Sequence, residues 1–310
     1  MTRLTEDDVR GLTAGLLRFE SGLVEVSGLT LRTLATRTLA VDVAASSLDP
    51  VGAGATGTSV PSVAGVPDAG PPAGCQPAVG PRPVSVSDLR TDAVFACVPV
   101  TTGEGLISGF SECVAVILRH MGWRASVTAH ADVRGIQEAV DGGAEVFFMA
   151  DDHRFAAVNV RKGRCVDDDP ATAHGYVTAL EAAAGGLADR PVLLLGLGPV
   201  GRAAAGRLLA RGTQLSVVEP DGERVALAAG QGLVFERVEL AQGLRVADLI
   251  FDATPAPAVI DAAQVGPRTI AAVPGVPSAF TVAAQARLGG RHIHEPLAIG
   301  VAVMAARALA

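Results

Sequence analysis

Two hydrophobic rhythms alternate along this chain, and together they predict most of its elements. Residues 2–20 set Val9, Leu12, Leu16, Leu17 and Phe19 on a helical stripe. Thr5 serves as its N-cap, and Glu6, Asp7 and Asp8 stand in the first turn, where acids complement the helix dipole. This pattern is read as a helix packed on its own domain; the sharper alternative is a helix that lids a site or swaps onto a partner subunit. A second helix, weakened by threonines, is expected at 29–39. Further on, strands are expected at 93–100, 124–129 and 145–150, separated by helical patterns at 107–121 and 132–141, the latter capped by Asp132. The order βαβαβ predicts a small parallel sheet with right-handed crossovers. One more strand is expected at 155–160, with a turn at Lys162-Gly163.

Asp167-Asp168-Asp169-Pro170 then leads into a helix at 171–184, ended by Gly185-Gly186 and taken as an interdomain connector. Beyond it, strands are expected at 191–195, 215–218, 249–252, 269–273 and 291–294, with helices at about 199–211, 222–229 and 300–309. The C-terminal helix is expected to brace the domain interface. Between 44 and 87 the periodicity disappears: Gly, Pro, Ala, Ser and Val dominate and charges nearly vanish, which reads as a flexible insertion without chemistry of its own.

The stretch PVLLLGLGPVGRAAAG, residues 191–206, joins an apolar strand to a helix through Gly196-Leu197-Gly198-Pro199-Val200-Gly201. A strand–GxGxxG–helix unit is the dinucleotide fingerprint. Gly196 makes the tight turn, Gly198 lets backbone approach a pyrophosphate, and Gly201 lets helix and strand pack closely, with the phosphates on the helix N-terminus. The next strand ends in Glu219, placed to accept hydrogen bonds from an adenosine ribose and to repel a 2′-phosphate, so NAD is favoured over NADP. The expected fold is therefore α/β: a C-terminal Rossmann dinucleotide-binding domain, 171–310, with a smaller N-terminal α/β substrate domain, 1–170. Three further loops border the nicotinamide side: Asp252-Ala253-Thr254-Pro255, Pro274-Gly275-Val276-Pro277 and Glu295-Pro296-Leu297. In the first domain, Thr101 and Thr102 follow one strand, and Asp151 and Asp152 another.

At 310 residues the chain suggests two domains, and its net charge of −7, with no clustering of basic residues, argues against nucleic acid. Cys75, Cys97, Cys113 and Cys165 show neither CxxC pairing nor metal spacing, which fits a reducing cytoplasmic compartment. His292 and His294 alternate as on one strand face, but no further ligand is placed by spacing, and no metal is expected. The acidic N-terminus lacks a signal-peptide core, and no apolar run is long enough to span a bilayer, so no membrane partner is expected.

The segments VPVTTGEGLISGFSE (98–112), MADDHRFAAVN (149–159), GLGPVG (196–201), FDATP (251–255), PGVP (274–277) and EPLAIG (295–300) resemble, in order, those of the pyrrolysine synthase family. The resemblance runs from about residue 88 to the C-terminus, with a similar helix at 4–19. It implies an NAD-dependent homodimer that oxidises the terminal amine carbon of the 3-methyl-D-ornithine part of a lysine isopeptide. Loss of ammonia and of water with ring closure then yields the pyrroline ring. It also implies that Asp151 binds the ornithine amines and that Asp252 lies near the reacting end, where the family carries Glu. Leu4, Thr101, Thr102, Phe110 and Ser111 would contact the substrate, Thr102 standing where the family has Ser. The cofactor would meet Gly196, Gly198, Pro199, Val200, Gly201, Glu219, Ala253, Thr254, Pro255, Pro274, Gly275, Val276 and Pro296. Two departures stand out: the Pro/Gly-rich insertion, and Glu104, where other members carry different polar residues. The residues leave two other readings open: a dehydrogenase or imine reductase for another small diamine or amino acid, and an NAD-sensing module.

Overall fold

The computed structural model describes residues 6–46, 90–103, 105–106 and 109–310. Leu4, Glu104 and nearly all of the 44–87 insertion lie outside these residues.

Helix α1 (Glu6–Ser27) runs seven residues past the expected end at residue 20, and α2 (Leu31–Ser46) occupies the start of the expected insertion. Threonines do not break α2 because Thr36 and Thr38 donate their hydroxyls back to the carbonyls of Arg32 and Leu34, each at 2.9 Å. On α1 the buried face carries Leu16 and Leu23, with Phe19 half-buried against the core. Leu17, expected on that face, is instead 51% exposed. Helix α1 packs against its own chain, and its Glu20 accepts from Leu31 N–H at 2.8 Å.

The first sheet is built from β1 (Val94–Cys97), β4 (Arg124–Val127), β5 (Val146–Ala150), β6 (Phe155–Asn159) and β7 (Arg164–Asp167), in the order β4-β1-β5-β6-β7. The helices α3 (Phe110–His120) and α4 (Asp132–Asp141) make the crossovers of the parallel trio β4-β1-β5. A small hairpin, β2 (Thr101–Thr102) with β3 (Gly105–Leu106), follows β1. The βαβαβ trio is parallel as expected, and the sheet becomes mixed because β6 and the unforeseen β7 extend it antiparallel. Two side-chain turns cause this. The Asp151 carboxylate accepts from the N–H of His153 (2.8 Å) and Arg154 (2.7 Å), and Asn159 Oδ1 accepts from the N–H of Arg161 (3.0 Å) and Lys162 (2.9 Å). Connections this short can return a strand only beside itself, in the antiparallel sense.

Helix α5 (Asp168–Ala184) leads into the second sheet, starting three residues earlier than expected because Asp167 caps it. That sheet holds β8 (Pro191–Leu195), β9 (Gln214–Val218), β10 (Glu236–Arg237), β11 (Leu249–Asp252), β12 (Ile270–Ala272) and β13 (His292–Ile293). Its helices are α6 (Pro199–Leu209), α7 (Gly222–Gly230), α8 (Leu240–Val246) and α9 (Val282–Leu288); the two-residue β10 and the short α8 and α9 carry too little pattern to be read from sequence. All neighbouring strands are parallel, in the order β10-β9-β8-β11-β12-β13. This is the doubly wound Rossmann order, whose direction of growth reverses between β8 and β11.

One core runs from the first sheet (Phe95, Val146, Phe148) through α5 and α10 (Ala298–Leu309) to one face of the second sheet (Val192, Leu194, Phe251). Helix α10, AIGVAVMAARAL, is apolar on every side, so it is stable only with every side covered. It packs against α2, α3, α5, β6 and β7, and only Arg307 among its residues is not buried. Smaller clusters fill the outer face of each sheet.

Candidate active site

The switch point opens at the carboxyl end of β8. Gly196 has φ +86, and a Cβ there would lie 2.8 Å from the carbonyl oxygen of Ala253. A Cβ on Gly201 would lie 2.1 Å from the carbonyl oxygen of Gly196, so only glycine lets the first turn of α6 sit on the loop. At Gly198 nothing stands within 4 Å of the Cβ position, which leaves open space before an N-terminus that no side chain caps. Pro199, with no N–H to leave unpaired, opens the helix. Arg202 braces the turn by donating to the carbonyl of Leu197 at 2.9 Å. Next to it a cavity of about 530 Å³ is lined by Gly196, Glu219, Arg224, Ala253, Thr254 and Pro255. A glycine cradle, uncapped helix N–H groups and an adjoining cavity fit a dinucleotide.

Glu219 lines this cavity, but its carboxylate is turned under the loop. Oε2 accepts from Leu197 N–H at 2.7 Å and Oε1 from Asp221 N–H at 3.0 Å, while Arg224 stands 3.8 Å from Oε2. The residue is 4% exposed.

Asp252, at the end of β11, is fully buried. Oδ1 accepts from Thr254 N–H at 3.1 Å and Oδ2 from Ala279 N–H at 2.8 Å, so the side chain ties the loop after β11 to the loop after β12. Gly275 closes over it: its N–H donates to Asp252 O at 2.9 Å, and a Cβ there would lie 3.3 Å from Oδ1. Burial outweighs these donors and pushes the carboxyl pKa up to about 6. The carboxylate expected beside the reacting carbon is thus spent on the loops themselves. Ala253, Thr254 and Pro255 lie on one of these loops and Pro274, Gly275 and Val276 on the other, whose Val276–Pro277 peptide is cis; Pro296 follows β13.

Near Asp252 stands His294, whose ring faces that of His292. His294 Nδ1 lies 2.7 Å from Val273 O, which makes Nδ1 the protonated nitrogen. His292, 5.4 Å away ring to ring, has Nε2 3.3 Å from Ser278 Oγ, and burial pushes its pKa down to about 4.

In the first domain, Thr101 is held by Asp132: the carboxylate accepts from Thr101 N–H at 2.8 Å and from its hydroxyl at 2.7 Å. These bonds hold the Asp132 carboxyl below its usual pKa. Asp132 opens α4 with φ +57 and does not cap it; the N-cap is Ala131. Thr102 lies in the same hairpin. Asp152 accepts from Gly103 N–H at 2.8 Å, tying the hairpin to the turn after β5. Asp151 is exposed, and its two backbone donors act on Oδ1 alone. They hold its carboxyl below the usual range, so it is ionised at neutral pH. Phe110 meets Phe155 edge-on at 5.0 Å, and Ser111 is buried beside it at the start of α3.

The two groups of strand ends are coupled through α5 and the loop after β13. Asp169 in the first turn of α5 feels the charge of Arg202 on α6, and Glu295 is near enough to Cys113 on α3 to act on its thiol. Sequence pattern assigned no role to Asp132 beyond capping, and none to His294 beyond a strand face; both are defined by partners distant in the chain.

Residues 76–166 match the family described as the N-terminal domain of pyrrolysine biosynthesis protein PylD. A pyrrolysine synthase of Methanosarcina acetivorans is 34% identical over 210 residues, 67% of this chain and 79% of that protein. One from Methanosarcina barkeri is 34% identical over 208 residues, 67% and 78%. Among solved structures, shikimate 5-dehydrogenase of Thermus thermophilus with NADP(H) and shikimate aligns with a TM-score of 0.47 at 17% identity, covering 70% of this chain and 93% of that one. Quinate dehydrogenase of Corynebacterium glutamicum with NAD aligns at 0.45 and 15%, with the same coverage. The chain belongs to the pyrrolysine synthase family.

Proposed function

We propose that this protein is an NAD-dependent amine dehydrogenase of pyrrolysine biosynthesis, acting as a homodimer in two domains divided near residue 170. Its substrate is the isopeptide of lysine and 3-methyl-D-ornithine. The observation that carries this reading is the pairing of a glycine cradle after β8 with an ionised, exposed acid after β5, in a chain of this family. Gly196, Gly198, Pro199, Val200 and Gly201 would hold the pyrophosphate, and Glu219 would border the adenosine ribose. The loops at 253–255 and 274–276, with Pro296, would hold the nicotinamide, which when bound supplies the acceptor for a hydride.

Asp151 has the chemistry of an ammonium anchor. Its Oδ1 is committed to the turn, and its Oδ2 makes no hydrogen bond among the described residues. Such a carboxylate holds a cationic ornithine chain and stabilises charge developing at the C–N unit. Thr101, fixed by Asp132, and Thr102 would orient the polar part of the substrate, while Phe110 would exclude water from the carbon chain. Ser111 would complete the proposed pocket. Asp252 acts one step back, by fixing the two loops against each other.

Incubation with NAD and the isopeptide is expected to raise the absorbance of NADH and to give a ring-closed product lighter by one ammonia and two hydrogens, since the water taken up on hydrolysis of the imine is returned on ring closure. Dinucleotide binding without turnover of that substrate would overturn the assignment. Turnover of a free diamine or amino acid instead would favour a related dehydrogenase, a reading that the buried Asp252, in place of the family's Glu, supports.

A further inference from the structure

An alkylammonium group, with a pKa near 10, carries no lone pair at neutral pH, and its carbon cannot release hydride until nitrogen has lost a proton. The proposed oxidation therefore needs a base at the nicotinamide edge of the crevice. Neither acid assigned from the sequence serves. Asp151 is held ionised and exposed, which suits an anchor, and both oxygens of Asp252 are taken by backbone N–H groups.

His294 has what they lack. It follows β13, next to the ends of β12 and β11, where a doubly wound sheet collects its functional groups. Its Nδ1–H is committed to Val273 O, so the lone pair lies on Nε2. Nε2 makes no hydrogen bond among the described residues and is not among the buried polar atoms left without a partner, so it stands open. The ring is half-buried, and the next residue, Glu295, is clamped to Tyr176 of α5 and faces α3 of the other domain.

We propose that His294 is the base that accepts the proton of the substrate ammonium through Nε2, an inference that rests on the amine dehydrogenase reading. The N–H bond of R–CH2–NH3+ breaks, its electron pair stays on nitrogen, and the proton passes to Nε2, giving R–CH2–NH2 and an imidazolium. Nothing is oxidised in this step; two electrons leave afterwards, with the carbon's hydrogen, as the hydride of the proposed reaction. The groups around the ring suit this exchange. Asp252 is near enough to feel the charge of His294, and His292, with its pKa pushed down to about 4, stays neutral and adds no repulsion. The Glu295 carboxylate is turned away to the N–H groups of Leu297 and Ala298 at the start of α10, and the Tyr176 hydroxyl is held by the Glu295 backbone.

The test compares wild type with His294→Asn, whose amide can still donate to Val273 O but offers no base at the Nε2 position. With NAD and the isopeptide, kcat is expected to fall by about 10²-fold or more with KM little changed, and the acid limb of the pH profile to disappear. Imidazole added to the medium should restore part of the rate. In the cofactor-free wild type, 15N NMR should show His294 in the Nδ1–H form, with an Nε2 resonance that moves when the isopeptide or 1,5-diaminopentane is added. Wild-type turnover with an unchanged rate and pH profile in His294→Asn would overturn the proposal. So would an Nε2 resonance that ignores the diamine. If wild type does not turn over the isopeptide at all, the substrate assignment fails instead, and the NMR titration with the diamine still decides the role of His294.

Discussion

The hydroxyl of Tyr176, the only tyrosine of the chain, makes two hydrogen bonds to the backbone of one residue: it donates to Glu295 O at 2.5 Å and accepts from Glu295 N–H at 3.0 Å. The ring is fully buried in α5, so the helix that leads out of the first domain also sets the loop that ends β13 in the second. Tyr176→Phe leaves both backbone groups of Glu295 without that partner. It should lower unfolding stability in urea by about 2 kcal/mol and reduce turnover more than dinucleotide affinity. An unchanged urea midpoint would show that the clamp is not holding the loop.

The glycines of the turn separate folding from binding. At Gly201 a Cβ would lie 2.1 Å from a backbone oxygen, whereas at Gly198 it meets open space. Gly201→Ala should cost about 2 kcal/mol of stability by overpacking. Gly198→Ala should leave the melting temperature unchanged and weaken NAD binding at least tenfold, since its methyl enters the space proposed for the pyrophosphate. Calorimetric titration with NAD distinguishes the two variants; full affinity in Gly198→Ala would move the phosphates elsewhere.

Asp132 holds Thr101 from 31 residues away by two hydrogen bonds. In Asp132→Ala the hairpin loses both, and KM for the isopeptide should rise about tenfold, the loss of roughly 1.4 kcal/mol. NAD affinity should stay as in wild type, because the turn after β8 is untouched. A parallel loss of NAD affinity would mean that the substitution disturbs more than the substrate side.

A buried acid and a half-buried histidine give stability opposing slopes in acid. His292 has a folded pKa of about 4, below its ordinary 6.5, so the unfolded chain binds more protons between these values and stability rises with pH across that window. Asp252 has a folded pKa of about 6, above its ordinary 3.8; the native state there binds more protons, and stability falls as pH rises across 3.8 to 6. Each slope amounts to about 3 kcal/mol at most, and the windows overlap. His292→Gln should therefore expose a fall in stability between pH 4 and 6 that wild type masks, and Asp252→Asn should steepen the rise. Urea unfolding at half-unit pH steps reads both slopes; parallel curves for all three proteins would place neither group inside the folded core.

Much of this architecture is legible in the amino-acid order. Continuous apolar runs marked β5, β8 and β11, because a strand covered on both faces has no polar alternation to show. The spacing of Gly196, Gly198 and Gly201 announced the cradle: Gly196 turns at φ +86 and Gly201 lies against the Gly196 carbonyl, while Gly198 faces open space. The all-apolar C-terminal helix announced its own burial.

Tertiary structure decided where the polar groups spend their hydrogen bonds. Asp252 and Glu219 stand at the ends of the strands as the sequence implies, yet their oxygens turn to the N–H groups of Ala279 and Leu197, brought near only by folding. Asp132 reads locally as a cap and serves Thr101 instead, and the role of His294 rests on the carbonyl of Val273 across a strand pair. Periodicity and turn chemistry act over a few residues, so sequence alone determines them. A desolvated carboxylate or imidazole takes whichever partner packing brings within 3 Å, and that choice exists only once the chain has folded.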